Sequence, residues 1–121
     1  MPMTILLIED DPDTRYVVSE RLAADFPDAR ILAADSAEGG LELAARTRPA
    51  VIVLDLRLRG MEGFAFAQRA RQLTGNVPIV VLTGDDSPAT RARAAREGLS
   101  AFLLKPTGID ELGGVIRRLV K

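Results

Sequence analysis

At 121 residues, with 47% apolar and 27% charged side chains, the chain has the material for one packed core and not the composition of a disordered tail. A formal net charge of -1 and a pI near 5.5 argue against a general nucleic-acid or anionic-membrane surface. With neither cysteine nor histidine, the chain cannot form disulfides, thiolate or imidazole metal sites, or histidine-dependent nucleophilic triads. Its chemistry falls to carboxylates, hydroxyls, lysine and arginine, whose hard oxygens suit magnesium or calcium.

The chain opens with MPMTILLIEDD, which has no basic lead-in and no cleavage-site pattern, so no secretory signal is expected. TILLIE (Thr4–Glu9) predicts the first strand. Asp11-Pro12 then reads as the N-cap and first-turn proline of a helix. On that helix Tyr16, Val17, Leu22 and Ala23 are read as the inward face, with Arg15, Glu20 and Arg21 outside it. ARILAA (Ala29–Ala34) predicts the second strand, and SAEGGLELAAR the second helix.

AVIVLD (Ala50–Asp55) predicts the third strand and GFAFAQRARQL the third helix. PIVVLT (Pro78–Thr83) predicts the fourth strand, followed by a helix in SPATRARAARE that starts on Ser87-Pro88. AFLLK (Ala101–Lys105) predicts the fifth strand and IDELGGVIRRLV the last helix, with Thr107-x-x-Asp110 as a variant capping box. Gly75 and Gly98 stand where helix C-termini need a left-handed residue. Gly39-Gly40 and Gly113-Gly114 fall inside helical patterns and are read as tolerated surface losses of about 1 kcal/mol per glycine.

Near-continuous apolar runs in the first, third and fourth strands mark burial on both faces, and strict strand–helix alternation means a parallel α/β sheet. One doubly wound domain over residues 1–121 is expected. No apolar run is long enough to span a bilayer.

In such a sheet, ligands bind beyond the carboxyl ends of the strands. The first strand ends in Glu9-Asp10-Asp11, the third in Asp55, the fourth in Thr83 and the fifth in Lys105-Pro106. If the first and third strands are neighbours, Asp10 and Asp55 converge with Glu9 close by. Clustered carboxylates raise one another's pKa unless a cation holds them, and magnesium leaves room for phosphate oxygens. Lys105 adds a positive charge and Thr83 a hydroxyl, which together describe a site for phosphoryl transfer to a carboxylate. Asp11 is read as an N-cap rather than a ligand.

The segments LLIEDDP, VLDLRLRGMEG, VVLTGDD and AFLLKP occur in the order and at the spacing of response-regulator receiver domains, and the chain resembles that family over essentially its whole length. The resemblance implies a flavodoxin-like (βα)5 fold with a five-stranded parallel sheet of order 2-1-3-4-5. It implies Asp55 as the phosphorylated aspartate, Asp10 as a direct magnesium ligand, Glu9 as one acting through water, and the Arg57 carbonyl as the remaining protein ligand. Thr83 matches the switch hydroxyl, Phe102 the switch aromatic and Lys105 the phosphate-pairing lysine. Lys105–Pro106 matches a bond that is cis in the family. The implied protein is no enzyme but a cytoplasmic phosphoacceptor, served by a sensor histidine kinase or a histidine phosphotransfer protein and assisting its own phosphorylation and dephosphorylation. Homodimerisation through the fourth helix, fifth strand and fifth helix is also implied.

Three positions depart from the family pattern: Arg59 replaces a proline, Leu99 a small residue, and Thr107 a phenylalanine. Arg57 and Asp85 occupy its variable positions flanking the site, and their opposite charges suggest an ion pair gating hydrolysis. Arg91, Arg93, Arg96, Arg117 and Arg118 read as a solvated face or as a basic partner surface. Competing functions are a flavodoxin-like binding enzyme, a carboxylate-nucleophile phosphatase and a phosphorylation-dead scaffold. The first lacks a glycine-rich phosphate loop after the first strand. The second lacks an aspartate two residues after the nucleophile, where Arg57 stands. The full set of acids, hydroxyl and lysine opposes the third.

Overall fold

A computed structural model describes residues 2–120, so Met1 and Lys121, the ends of the expected domain, lie outside the described residues. The elements alternate without exception: β1 (Thr4–Ile8), α1 (Pro12–Asp25), β2 (Arg30–Ala34), α2 (Ala37–Thr47), β3 (Val51–Leu54), α3 (Gly63–Thr74), β4 (Ile79–Thr83), α4 (Pro88–Arg96), β5 (Ala101–Leu104) and α5 (Gly108–Leu119). The strands pair in parallel in the order β2-β1-β3-β4-β5, as the resemblance implied.

Alternate side chains of each central strand enter opposite layers, because side chains in a strand point to opposite faces. Leu6, Ile8, Ile52, Leu54, Ile79 and Val81 pack with Phe64, Phe66 and Ala67 of α3 and Ala37 and Ala44 of α2. Ile5, Leu7, Val51, Val53, Val80 and Leu82 pack with Val18 and Leu22 of α1 and Leu112, Val115 and Ile116 of α5. β5 is an edge strand and only half-buried throughout.

Several boundary signals act as read. The Asp11 carboxylate accepts from Thr14 N at 2.8 Å, Ser87 Oγ accepts from Thr90 N at 3.3 Å, and Gly75 and Gly98 lie at φ +70° and +71°. The Lys105–Pro106 bond is cis. The expected capping box at Thr107 does not form. Thr107 is already helical (φ −62°, ψ −33°) and makes no side-chain cap bond, while the Asp110 carboxylate is held by Arg21 Nη1 at 2.7 Å.

Two further expectations are corrected. On α1, Tyr16 is 67% and Val17 51% exposed, Ala23 is exposed, and Val18 and Leu22 are the buried pair. The i, i+4 row of Val18 and Leu22 faces the sheet, and the six-residue step from Tyr16 to Leu22 never lay on one face. The glycine pairs are not surface losses at every position. A Cβ on Gly40 would lie 2.5 Å from Ile8 Cδ1 and 3.0 Å from Phe66, so its absence lets α2 sit directly on the sheet. Gly113 is likewise buried, with Asp25 Oδ2 2.7 Å from where its Cβ would stand.

Candidate functional site

Glu9, Asp55 and Lys105 sit one step past the ends of β1, β3 and β5, Thr83 is the last residue of β4, and the sheet's own hydrogen bonding continues far enough to fix them. Glu9 N donates to Ala34 O at 3.0 Å, Asp55 N to Ile8 O at 3.1 Å, and Lys105 N to Thr83 O at 2.9 Å. Ile8 is level with Leu54 across the β1–β3 pair, so Glu9 and Asp55 emerge side by side. This adjacency of β1 and β3 was the condition left open by the sequence.

Lys105 joins the two. Its Nζ donates to Glu9 Oε1 at 2.5 Å and to Asp55 Oδ2 at 3.0 Å. Glu9 is 2% and Asp55 7% exposed, so two acidic side chains are withdrawn from water and share one ammonium. Asp11 N donates to the second oxygen of Glu9 at 3.2 Å, and Arg57 N to the second oxygen of Asp55 at 3.2 Å. Burial raises the Glu9 pKa above its ordinary value, against the opposing bonds from Lys105 and the Asp11 amide. Burial works to lower Lys105, but its bonds to Glu9 and Asp55 outweigh it and hold the ammonium above its usual range.

Asp10 completes the acid group. One oxygen from each of Glu9, Asp10 and Asp55 can be chosen so that all lie within 4.8 Å of one another. Three carboxylates at this separation suit a hard divalent cation. Arg15, which the sequence reading placed outside the packed face of its helix, pins this turn. Its Nη1 donates to the carbonyls of Glu9 at 3.0 Å and Asp10 at 3.4 Å. The available signal was an arginine one turn beyond Asp11, where the side chain can fold back over the helix start.

Thr83 is fully buried, and its Oγ1 accepts from Asp85 N at 3.4 Å. Phe102 is half-buried on β5, with the Arg91 guanidinium 4.7 Å above its ring centroid. Arg93 bridges Glu62 at 2.9 Å and Glu97 at 2.7 Å and covers Phe64, and Arg117 lies over Phe26. Three of the five arginines proposed as a solvated or partner-binding face are therefore engaged within the molecule.

The Arg57–Asp85 ion pair is absent among the described residues at 4.0 Å or less. The Asp85 carboxylate instead accepts from Ser87 N at 3.0 Å and Thr90 Oγ1 at 2.9 Å. Those bonds hold its pKa below the ordinary value, with Arg57 a smaller contributor. A side chain one turn before a helix finds nearer donors in that helix than across a cleft. Both residues still line one shallow cleft of about 300 Å³, with Leu56, Phe64 and Thr90.

The "Response regulator receiver domain" family matches residues 5–117. The chain is 31% identical to "Response regulator MprA" of Mycobacterium sp. (strain KMS) over 121 residues, covering 100% of this chain and 52% of that protein. It is 32% identical to "Transcriptional regulatory protein AfsQ1" of Streptomyces coelicolor over 118 residues, covering 98% of this chain and 51% of that protein. The chain thus spans about half the length of these curated relatives. Among solved structures, the signal receiver domain of a DNA-binding response regulator from Colwellia psychrerythraea 34H superposes with a TM-score of 0.89 at 29% identity, covering 98% of both chains.

Proposed function

The chain belongs to the family of response regulator receiver domains, the phosphoacceptor switches of two-component signalling, and we propose that Asp55 is the residue that takes the phosphoryl group. The single observation that carries this assignment is the Lys105 bridge, which holds the Asp55 and Glu9 carboxylates together beside Asp10. In the transfer, an Asp55 carboxylate oxygen forms a bond to phosphorus as the bond from phosphorus to the donor's imidazole nitrogen breaks. That nitrogen keeps the electron pair.

Asp10, Asp55 and the Arg57 carbonyl would hold magnesium directly, with Glu9 acting through water. Bound there, magnesium would neutralise charge on the transferring oxygens. Lys105 is already within hydrogen-bond reach of Asp55 and would meet one phosphoryl oxygen. The Thr83 hydroxyl, now accepting from Asp85 N, would turn to donate to another. That exchange would loosen the turn leading to α4 and favour an inward Phe102, a two-state equilibrium biased by local charge. Self-catalysed phosphorylation and dephosphorylation follow from the same groups.

The donor is a sensor histidine kinase or histidine phosphotransfer protein, acting on a cytoplasmic domain that extends over residues 1–121. The surface of α4, β5 and α5 carries the output, including a homodimer contact. Among the described residues no helix is long and apolar enough to cross a membrane. The reading is tested by intact-mass measurement after incubation with acetyl phosphate and magnesium. One phosphoryl group is expected on the parent chain and none on Asp55→Asn; equal labelling of both would reject Asp55 as the acceptor.

A further inference from the structure

The three acids of the site do not share one counter-charge. Lys105 takes Glu9 and Asp55 and makes no bond to Asp10. Among the described residues, the cation that faces the Asp10 carboxylate is Arg59, whose Nε lies 3.9 Å from Asp10 Oδ2. It arrives from the segment between β3 and α3, a loop closed by Gly63 N donating to Leu56 O at 3.1 Å. We propose that Arg59 is a tethered counter-ion for Asp10 that competes with magnesium for this carboxylate, and so sets how much of the metal the domain requires.

Three features of the contact favour this role over a structural one. The Arg59 side chain is 77% exposed, so the pair is weak and a divalent ion can displace it. A guanidinium offers several donors in a planar fork, so Arg59 can face the carboxylate without one fixed geometry and can yield it to a metal. The flexible side chain can swing away, but it stays tethered a few residues from Asp55, so a bound metal still feels its charge. Arg15, the other guanidinium on this turn, is occupied by the carbonyls of Glu9 and Asp10 and is not free to do the same.

The inference rests on the acid group being the magnesium site. The test is therefore direct titration of magnesium into the 121-residue chain by calorimetry, with manganese followed by electron paramagnetic resonance as a second readout. Arg59→Gln should bind magnesium about three- to tenfold more tightly than the parent at low salt, since a single charge near a divalent ion acts through screened Coulomb repulsion. The gap should narrow as ionic strength rises. Arg59→Lys should remain near the parent. Arg46→Gln, which removes an equal charge from the distant end of α2, should also match the parent. Equal constants for parent and Arg59→Gln would overturn the inference alone. Absence of saturable binding in both would overturn the magnesium reading with it. Because Arg59 is exposed, circular dichroism and the thermal midpoint should show the variants folded as the parent.

Discussion

Lys105 Nζ lies 3.0 Å from Asp55 Oδ2, joining residues 50 positions apart that follow β5 and β3. The strand between them, β4, is spanned by one flexible side chain whose ammonium also reaches Glu9 on the far side. The centre of the site is thus a buried acid pair closed by a single base, and its behaviour with pH follows from that arrangement.

Glu9 carries a raised pKa because it is buried, so the folded state holds its proton more tightly than the unfolded chain does. Stability from this group is fully present below the unfolded value of about 4.5 and is lost as pH rises through the folded value. Lys105, also raised, contributes across this range and loses its contribution only as pH rises through its own elevated pKa. Thermal midpoints without added metal should therefore fall from mildly acidic to neutral pH by more in the parent than in Glu9→Gln. Magnesium should recover most of that difference. Parallel pH profiles for the two proteins would reject this account.

Asp10→Ala and Glu9→Ala should differ in magnesium affinity. Glu9 is engaged by Lys105 and the Asp11 amide, whereas the half-buried Asp10 carboxylate has, among the described residues, only the 3.9 Å contact to Arg59. Loss of Glu9 is expected to weaken magnesium by about 10–100-fold, as for a group acting through an outer shell. Loss of Asp10 should leave no saturable binding. Calorimetric titration of both variants measures the ranking, and equal losses would remove the distinction between them.

Arg57 and Asp85 line one cleft without bonding to each other, so their removal should have separable consequences. Asp85→Ala deletes the acceptor for Ser87 N and Thr90 Oγ1 and should lower the thermal midpoint; Arg57→Ala should leave it unchanged. If each side chain screens the phosphorylated aspartate from in-line water, both variants lose phosphate faster than the parent. The double variant then shows the product of the two rate factors. A double variant no faster than either single one would indicate that the pair acts as a unit after all.

Gly40→Ala should destabilise the domain by about 1–3 kcal/mol through overpacking against Ile8 and Phe66. Gly114→Ala, on the open side of α5 with nothing within 4 Å of the added carbon, should stabilise it by about 1 kcal/mol. Denaturant midpoints for the two variants moving the same way would contradict this placement of the two helices.

The alternation of elements and the acids, hydroxyl and lysine at the strand ends were legible in the sequence. A strand covered on both faces is written as a continuous apolar run, and the polar residue that stops it is conspicuous. For that reason Glu9, Asp55, Thr83 and Lys105 could be placed at the carboxyl ends of the strands from the sequence alone. The pairing of β1 with β3, which the resemblance implied, is a long-range choice that no local pattern states, and only the fold shows it bringing Glu9 beside Asp55. The tertiary structure likewise decided that Val18 rather than Tyr16 faces the sheet and that Gly40 is a close-packing position rather than a surface loss. It also decided that Asp85 turns to Thr90 rather than Arg57, and that Arg59 reaches back to Asp10. Each of these depends on how a helix or loop is set as a rigid body against its neighbours, and on which donor a long side chain meets first. Residue type and spacing restrict those outcomes without choosing among them, because the competing contacts differ by little energy until the whole fold brings one partner within reach.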